Sequence, residues 1–104
     1  MGFYHSAFLA YGIQIPDMDE DTLDRGIPGG SEVGHLRAGR YDAEDTFLVT
    51  KCTEAEIGTP VVVDPERATR EQYETWSRDL RAAATALGVT DIPAPSWLLI
   101  SHVS

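Results

Sequence analysis

The first clear pattern in the chain is an alternation of apolar and mixed positions over residues 3–15. The odd positions form a nearly continuous apolar face, with the period of two that is typical of a β-strand. The even positions are mixed, so we expect this strand to be partly covered on both faces. Pro16 has no backbone N–H to give to a neighbouring strand, and it ends the pattern.

Two further strands are predicted over residues 33–41 and 46–51, joined by a polar turn at residues 42–45. Gly34 and Gly39 weaken the first of them and indicate a bulge or an edge position. These two strands therefore form a predicted hairpin.

The strongest helical pattern lies near the C-terminus. Thr69 and Gln72 have the spacing of a capping box, with Asp64-Pro65 as an alternative start, and Gly88 predicts the end. The apolar side chains between them recur at helical spacing and form one stripe, which consists of Tyr73, Trp76, Leu80, Ala83, Ala84 and Leu87.

A last, largely apolar strand is predicted over residues 97–103, inside the sheet. Trp97 is expected to pack on the helix, with a partly exposed interface anchor as the alternative. The predicted fold is a single α+β domain over residues 1–104. It has a small, mostly antiparallel sheet of about four strands and one main helix packed on one face.

Two connectors separate these elements. The first connector, residues 17–32, permits a short helical turn over residues 19–23 with Asp17 as its cap. The second connector, residues 52–66, contains three valines at 61–63 that fit either a brief edge strand or a plug dipping into the core.

Charge is concentrated in these connectors. The chain of 104 residues has 17 acidic and eight basic residues and a net charge of −9. The first connector carries −5 and the second −4, whereas the predicted hairpin carries zero. Up-down-up connectivity of the first three strands would bring both connectors to one pole, whereas a parallel crossover would separate them. The alternative is that these loops are simply solvated.

If the connectors converge, their field favours a basic protein partner. The candidate partner-binding residues are Asp17, Asp19, Glu20, Asp21, Asp24, Glu54, Glu56, Asp64 and Glu66. The same acidic excess disfavours direct nucleic-acid binding and anionic membranes. One cysteine excludes an intramolecular disulfide framework. The N-terminus lacks the basic region of a signal peptide, so we expect a cytoplasmic protein.

No residue pattern predicts a catalytic, cofactor or metal site. Asp17, Asp19 and Asp21 resemble the opening of a calcium loop, but Thr22 and Pro28 stand where glycine and glutamate are needed. The soft ligands lack the local spacing of a zinc site; they are His5, His35, His102 and Cys52.

The opening MGFY and the segment AYGIQIP (residues 10–16) resemble the start of small acidic hypothetical proteins encoded by phages and prophages of actinobacteria. The segment PSWLLIS (residues 95–101) is similar to their endings. This resemblance implies an accessory phage gene, many of whose products bind a host protein. It implies no activity and no functional residues.

The first hypothesis is therefore a non-enzymatic interaction protein that binds a basic host surface as an inhibitor, an anti-defence factor or a decoy. A second is a small-ligand-binding protein or enzyme with a pocket near His35, Arg37, Arg40 and Tyr41. A third is a structural or assembly component that forms a homodimer through an exposed strand edge.

Overall fold

A computed structural model describes residues 5–40, 43–56, 58, 60–62 and 68–103 of the chain. The elements in chain order are β1 (His5–Ile15), α1 (Glu20–Gly26), β2 (Gly34–Arg40), β3 (Ala43–Glu56), α2 (Arg70–Ala86) and β4 (Ser96–Val103). The four strands form one sheet in the order β2-β3-β1-β4, and all neighbours are antiparallel. The predicted α+β fold with a four-stranded antiparallel sheet is confirmed, and a second, shorter helix joins the main one.

Both helices pack on the same face of the sheet. The stripe of α2 lies against β1 and β3, and α1 contributes Leu23, which has no exposed surface. This helix-side core consists of Tyr11, Ile13, Ile15, Leu23, Val33, Leu48, Trp76, Leu80, Ala83, Ala84 and Val89. The α2 stripe therefore buries the face that the sequence predicts.

The opposite face of the sheet carries a second core. It consists of Ala10, Ala38, Phe47, Val49 and Ile100, with Phe8, Leu36 and Leu98 packed against them. All four strands contribute, because the sheet curls until the edge strands β2 and β4 approach each other. The expectation that β1 is covered on both faces is confirmed, since it contributes to both cores.

Capping fixes the ends of α2. Thr69 is the N-cap, and its side chain and that of Gln72 form the predicted capping box. Of the two starts that the sequence leaves open, the structure uses Thr69. Gly88 follows the helix with a φ of 84°, in the left-handed region that favours glycine.

Four details differ from the predictions. The strand predicted over residues 97–103 is not internal, because β4 lies at an edge of the sheet. The curl of the sheet covers Leu98 and Ile100, and α2 covers Trp97, whereas Leu99 is 77% exposed. Residues 43–45 and 52–56 belong to β3 and not to a turn or a connector. The N-cap of α1 is Asp19 and not Asp17. Val61 and Val62 are exposed and lie in no strand, while Val63 is outside the described residues.

Candidate functional site

Five of the six acidic residues of the first connector lie on and around α1. We call residues 17–24 the acidic segment. Its five carboxylate side chains are all exposed, and they belong to Asp17, Asp19, Glu20, Asp21 and Asp24. Leu23 is buried in the helix-side core and fixes the other side of α1 to the sheet. The segment is thus an anchored helix with an acidic outer surface.

Asp17 ties the start of this segment to the sheet. Its Oδ1 accepts a hydrogen bond of 2.7 Å from Thr46 Oγ1 on β3 and one of 3.2 Å from Arg37 on β2. The hydrogen bond from Thr46 and the charge of Arg37 lower the pKa of the Asp17 carboxyl from its ordinary value, although partial desolvation opposes them. The side chain nevertheless stays 61% exposed.

Asp19 caps α1. Its Oδ1 accepts a hydrogen bond of 2.7 Å from the backbone N–H of Thr22. Hydrogen bonds from the Thr22 side chain and backbone lower the pKa of Asp19. The cap satisfies one of the free N–H groups of the first helical turn. Asp19 therefore has a structural role in addition to its charge.

Asp24 forms the third tie. Its Oδ1 lies 2.9 Å from Nε2 of His35 on β2, and 69% of its side chain is exposed. By contrast, Glu20 and Asp21 make no side-chain hydrogen bond or ion pair within the described part of the chain. These two carboxylates are the ones available to another molecule.

The acidic residues of the second connector lie elsewhere. On β1, the residue Ile15 at the acidic-segment end pairs with Thr46, whereas Ser6 near the other end pairs with Glu56. Glu54 and Glu56 are therefore at the opposite end of the sheet. Asp64 and Glu66 lie outside the described residues.

The prediction that the two connectors converge on one pole is wrong for Glu54 and Glu56. Because β3 is antiparallel to both β1 and β2, β1 and β2 run in the same direction. The first connector is a crossover that returns along the helix side of the sheet. The chain then leaves β3 at the end away from the acidic segment.

His35 and Arg37, two of the residues near which a pocket is expected, both contact the acidic segment. These two side chains pair with Asp24 and Asp17 and hold the crossover on β2. The Nε atom of Arg37 is buried and has no hydrogen-bond partner in the described part of the chain. The side chain of Arg40 and the whole of Tyr41 lie outside the described residues.

The aromatic side chains beneath α2 form a cluster with hydrogen bonds that the sequence does not predict. The Tyr11 ring lies 5.1 Å from that of Tyr73 and 5.6 Å from that of Trp97. Trp97 Nε1 donates to the Tyr73 hydroxyl at 2.9 Å, so Trp97 packs on α2 as predicted. Trp76 Nε1 donates to Glu32 at 2.6 Å. Helical spacing predicts this packing, but not the polar partners that come from other elements.

The outer side of α2 borders a shallow groove of about 680 Å³. Arg70 and Arg78, which line it, are paired with Glu74 and Asp79 on the same helix at 3.5 and 3.7 Å. These pairs make the groove a mixed-charge helix surface. Within the described residues, no three His, Cys, Asp or Glu side chains are grouped to hold a metal ion. No helix in that part of the chain has the length and apolar character needed to cross a membrane.

No protein-family model matches the chain, and no solved structure matches it. It is similar to the isocitrate dehydrogenase kinase/phosphatases of two strains of Xanthomonas campestris pv. campestris, each 26% identical over 102 residues. The alignments cover 95% of this chain and 17% of each relative, so the chain spans less than a fifth of their length.

Proposed function

We propose that this protein is a non-enzymatic interaction module that binds a basic protein surface through the acidic segment. The observation that carries this proposal is the combination of anchoring and exposure in α1. Leu23 and the ties from Asp17 and Asp24 fix the segment, while Glu20 and Asp21 face solvent and contact no partner among the residues that the structure describes.

Anchoring matters for binding because a fixed surface loses little conformational freedom when a partner docks. The four-residue stretch from Asp17 to Glu20 is held at one end by Thr46 and Arg37 and at the other by the helix cap. Exposed carboxylates on such a surface steer a basic partner and speed its association.

The proposal assigns binding to one end of the molecule. Glu54 and Glu56 lie at the other end of the sheet. For these two residues we retain the simpler interpretation that they are solvated charges which favour solubility. An inhibitor, an anti-defence factor or a decoy of the phage type fits this description. A cytoplasmic location, that of the host if the gene is phage-encoded, remains part of the proposal.

A defined basic peptide tests the proposal without knowledge of the natural partner. We would titrate the ¹⁵N-labelled protein with a nine-residue arginine peptide and follow amide shifts. The expected result is that the largest shifts fall on residues 20–26. The affinity should decrease with added salt, because exposed charges are screened over a Debye length.

Matched variants distinguish a site from general attraction. Glu20→Gln with Asp21→Asn should weaken binding roughly two- to thirtyfold, since each exposed charge pair contributes modestly. Asp19 is left unchanged because it caps the helix. Glu54→Gln with Glu56→Gln removes the same charge at the other end and should have little effect. Equal losses in the two double variants would refute a site on the acidic segment.

A further inference from the structure

A hydrogen bond joins the two edge strands of the sheet. β2 and β4 are not neighbours in the sheet, yet the backbone N–H of Gly39 on β2 donates to Nδ1 of His102 on β4 at 3.1 Å. We call this bond the β2–β4 latch. Gly39 has a φ of 148°, a conformation that residues with side chains rarely adopt. The N–H that donates to His102 thus belongs to a residue whose backbone conformation favours glycine.

The latch requires one protonation state of His102. Nδ1 accepts a hydrogen bond only when the imidazole is neutral and carries its proton on Nε2. In the protonated ring both nitrogens are donors, so Nδ1–H would face the Gly39 N–H. Histidine is the side chain that ordinarily changes charge between pH 5 and 8. Protonation of the His102 ring would therefore break this bond.

Strands β1, β2 and β3 all place groups on the face of the sheet that carries His102. From β1, Phe8 places its ring 6.4 Å from the imidazole and Ser6 is its register partner, and neither is ionisable. From β3, Asp45, Glu54 and Glu56 are on the same face of the sheet by register.

The remaining ionisable group of β3 on this face is Cys52. Burial and then the Glu54 charge raise the pKa of its thiol, so it stays neutral over the range in question. The side chain of Arg40, next to Gly39 on β2, is outside the described residues. The two helices lie on the other face.

The latch also borders a cavity of about 290 Å³ between β2 and β4. Its apolar wall includes Ala38, Phe47 and Ile100 from the second core, and its polar rim includes Gln14 and Asp45. Because no helix in the described chain covers this core, the curl of the sheet keeps it from solvent. Release of the latch would loosen the wall of this cavity.

We propose that His102 is a pH-sensitive latch that closes the sheet between its two edge strands when neutral and releases it when protonated. The released state is expected to open the cavity between β2 and β4. This inference is independent of binding at the acidic segment, which lies on the helix side of the sheet.

The first measurement uses the unmodified protein. Long-range ¹H–¹⁵N spectra at pH 8 should show His102 as the Nε2–H tautomer. Between pH 8 and pH 5, the protection factor of the Gly39 amide should fall by about fivefold, the equivalent of one net hydrogen bond. The methyl signals of Ala38 and Ile100 should shift in the same pH range. An Nδ1–H tautomer at pH 8, or constant Gly39 protection, would overturn the proposal.

Two substitutions of His102 distinguish the effect of the Nδ1 acceptor from that of the aromatic ring. His102→Asn places an amide oxygen near the position of Nδ1, so the Gly39 amide should stay protected at both pH values. His102→Phe keeps an aromatic ring beside Phe8 without an acceptor, so protection should be low at both. His35→Gln is the control, since His35 lies on the helix face and should leave the Gly39 titration unchanged. The proposal would be contradicted if Gly39 protection still changed with pH in His102→Asn. It would also be contradicted if this pH dependence disappeared in His35→Gln.

Discussion

Strands β1 and β3 approach each other closely at Gly12. From Ala10 to Gly12 the chain advances two residues on β1, while its partner on β3 moves by three, from Cys52 to Val49. The extra residue on β3 forms a bulge, and Thr50 Oγ1 donates to the Tyr11 carbonyl there. A Cβ at Gly12 would overlap the Leu48 carbonyl oxygen and lie 3.0 Å from Val49 Cα. Only glycine fits this position.

Gly12→Ala should destabilise the protein by roughly 3 kcal/mol, because the atoms in the way are backbone and cannot rotate aside. Urea unfolding followed by tryptophan fluorescence measures the change. Gly29→Ala is the matched control: a Cβ there meets nothing within 4 Å, so its effect should stay within about 0.5 kcal/mol. Similar unfolding midpoints for the two variants would show that β1 and β3 are not this close.

At the scale of the element, α2 depends on its buried stripe. Leu80 is fully buried in the middle of that stripe, between the aromatic cluster and the alanines that approach the sheet. Leu80→Ala should cost about 2–5 kcal/mol, because it removes apolar contact and leaves a cavity. The free energy of unfolding from urea titration is the measurement. Arg81→Ala, one residue further on the exposed side, should change it by less than about 0.5 kcal/mol. A silent Leu80→Ala would mean that another face of α2 packs on the sheet.

The elements that local pattern predicts well are those whose stabilising contacts are also local. α2 has its capping box, stripe and terminal glycine within one stretch of sequence, and β1 has a regular alternation. β3 was truncated in the prediction because Glu54 and Glu56 resemble connector residues. Glu54 and Glu56 belong to the strand because they pair with Phe8 and Ser6 of β1. Their carboxylates remain exposed, at the end of the sheet away from the acidic segment.

At the scale of the whole molecule, strand order decides where charge lies. The same hydrophobic pattern fits an up-down-up meander and the observed crossover. No local feature of the sequence therefore shows whether the acidic residues of the two connectors lie at one end of the sheet or at opposite ends. The crossover places the acidic segment and Glu54 with Glu56 at opposite ends of the sheet. This separation reduces self-repulsion in a chain of net charge −9. The residues of the candidate site were thus predictable, whereas their grouping was not.

Asp17 links this crossover to two strands, and its titration should be visible in the stability of the whole protein. Its folded pKa is below the ordinary value of 3.8, because Thr46 and Arg37 favour the carboxylate. A lowered folded pKa means that the stabilisation is complete above the unfolded pKa and is lost as pH falls through the folded one. The wild-type urea midpoint should therefore fall between about pH 5 and pH 3.

Asp17→Asn should lower the midpoint at pH 7 and flatten this fall, so that the two curves converge in acid. Asp19, whose pKa is also lowered by its cap hydrogen bonds, keeps some acid dependence in both proteins. Glu20→Gln, which removes a carboxylate without a described partner, should leave the wild-type slope in place. Parallel curves for wild type and Asp17→Asn down to pH 3 would show that the Thr46 and Arg37 contacts do not hold the crossover to the sheet.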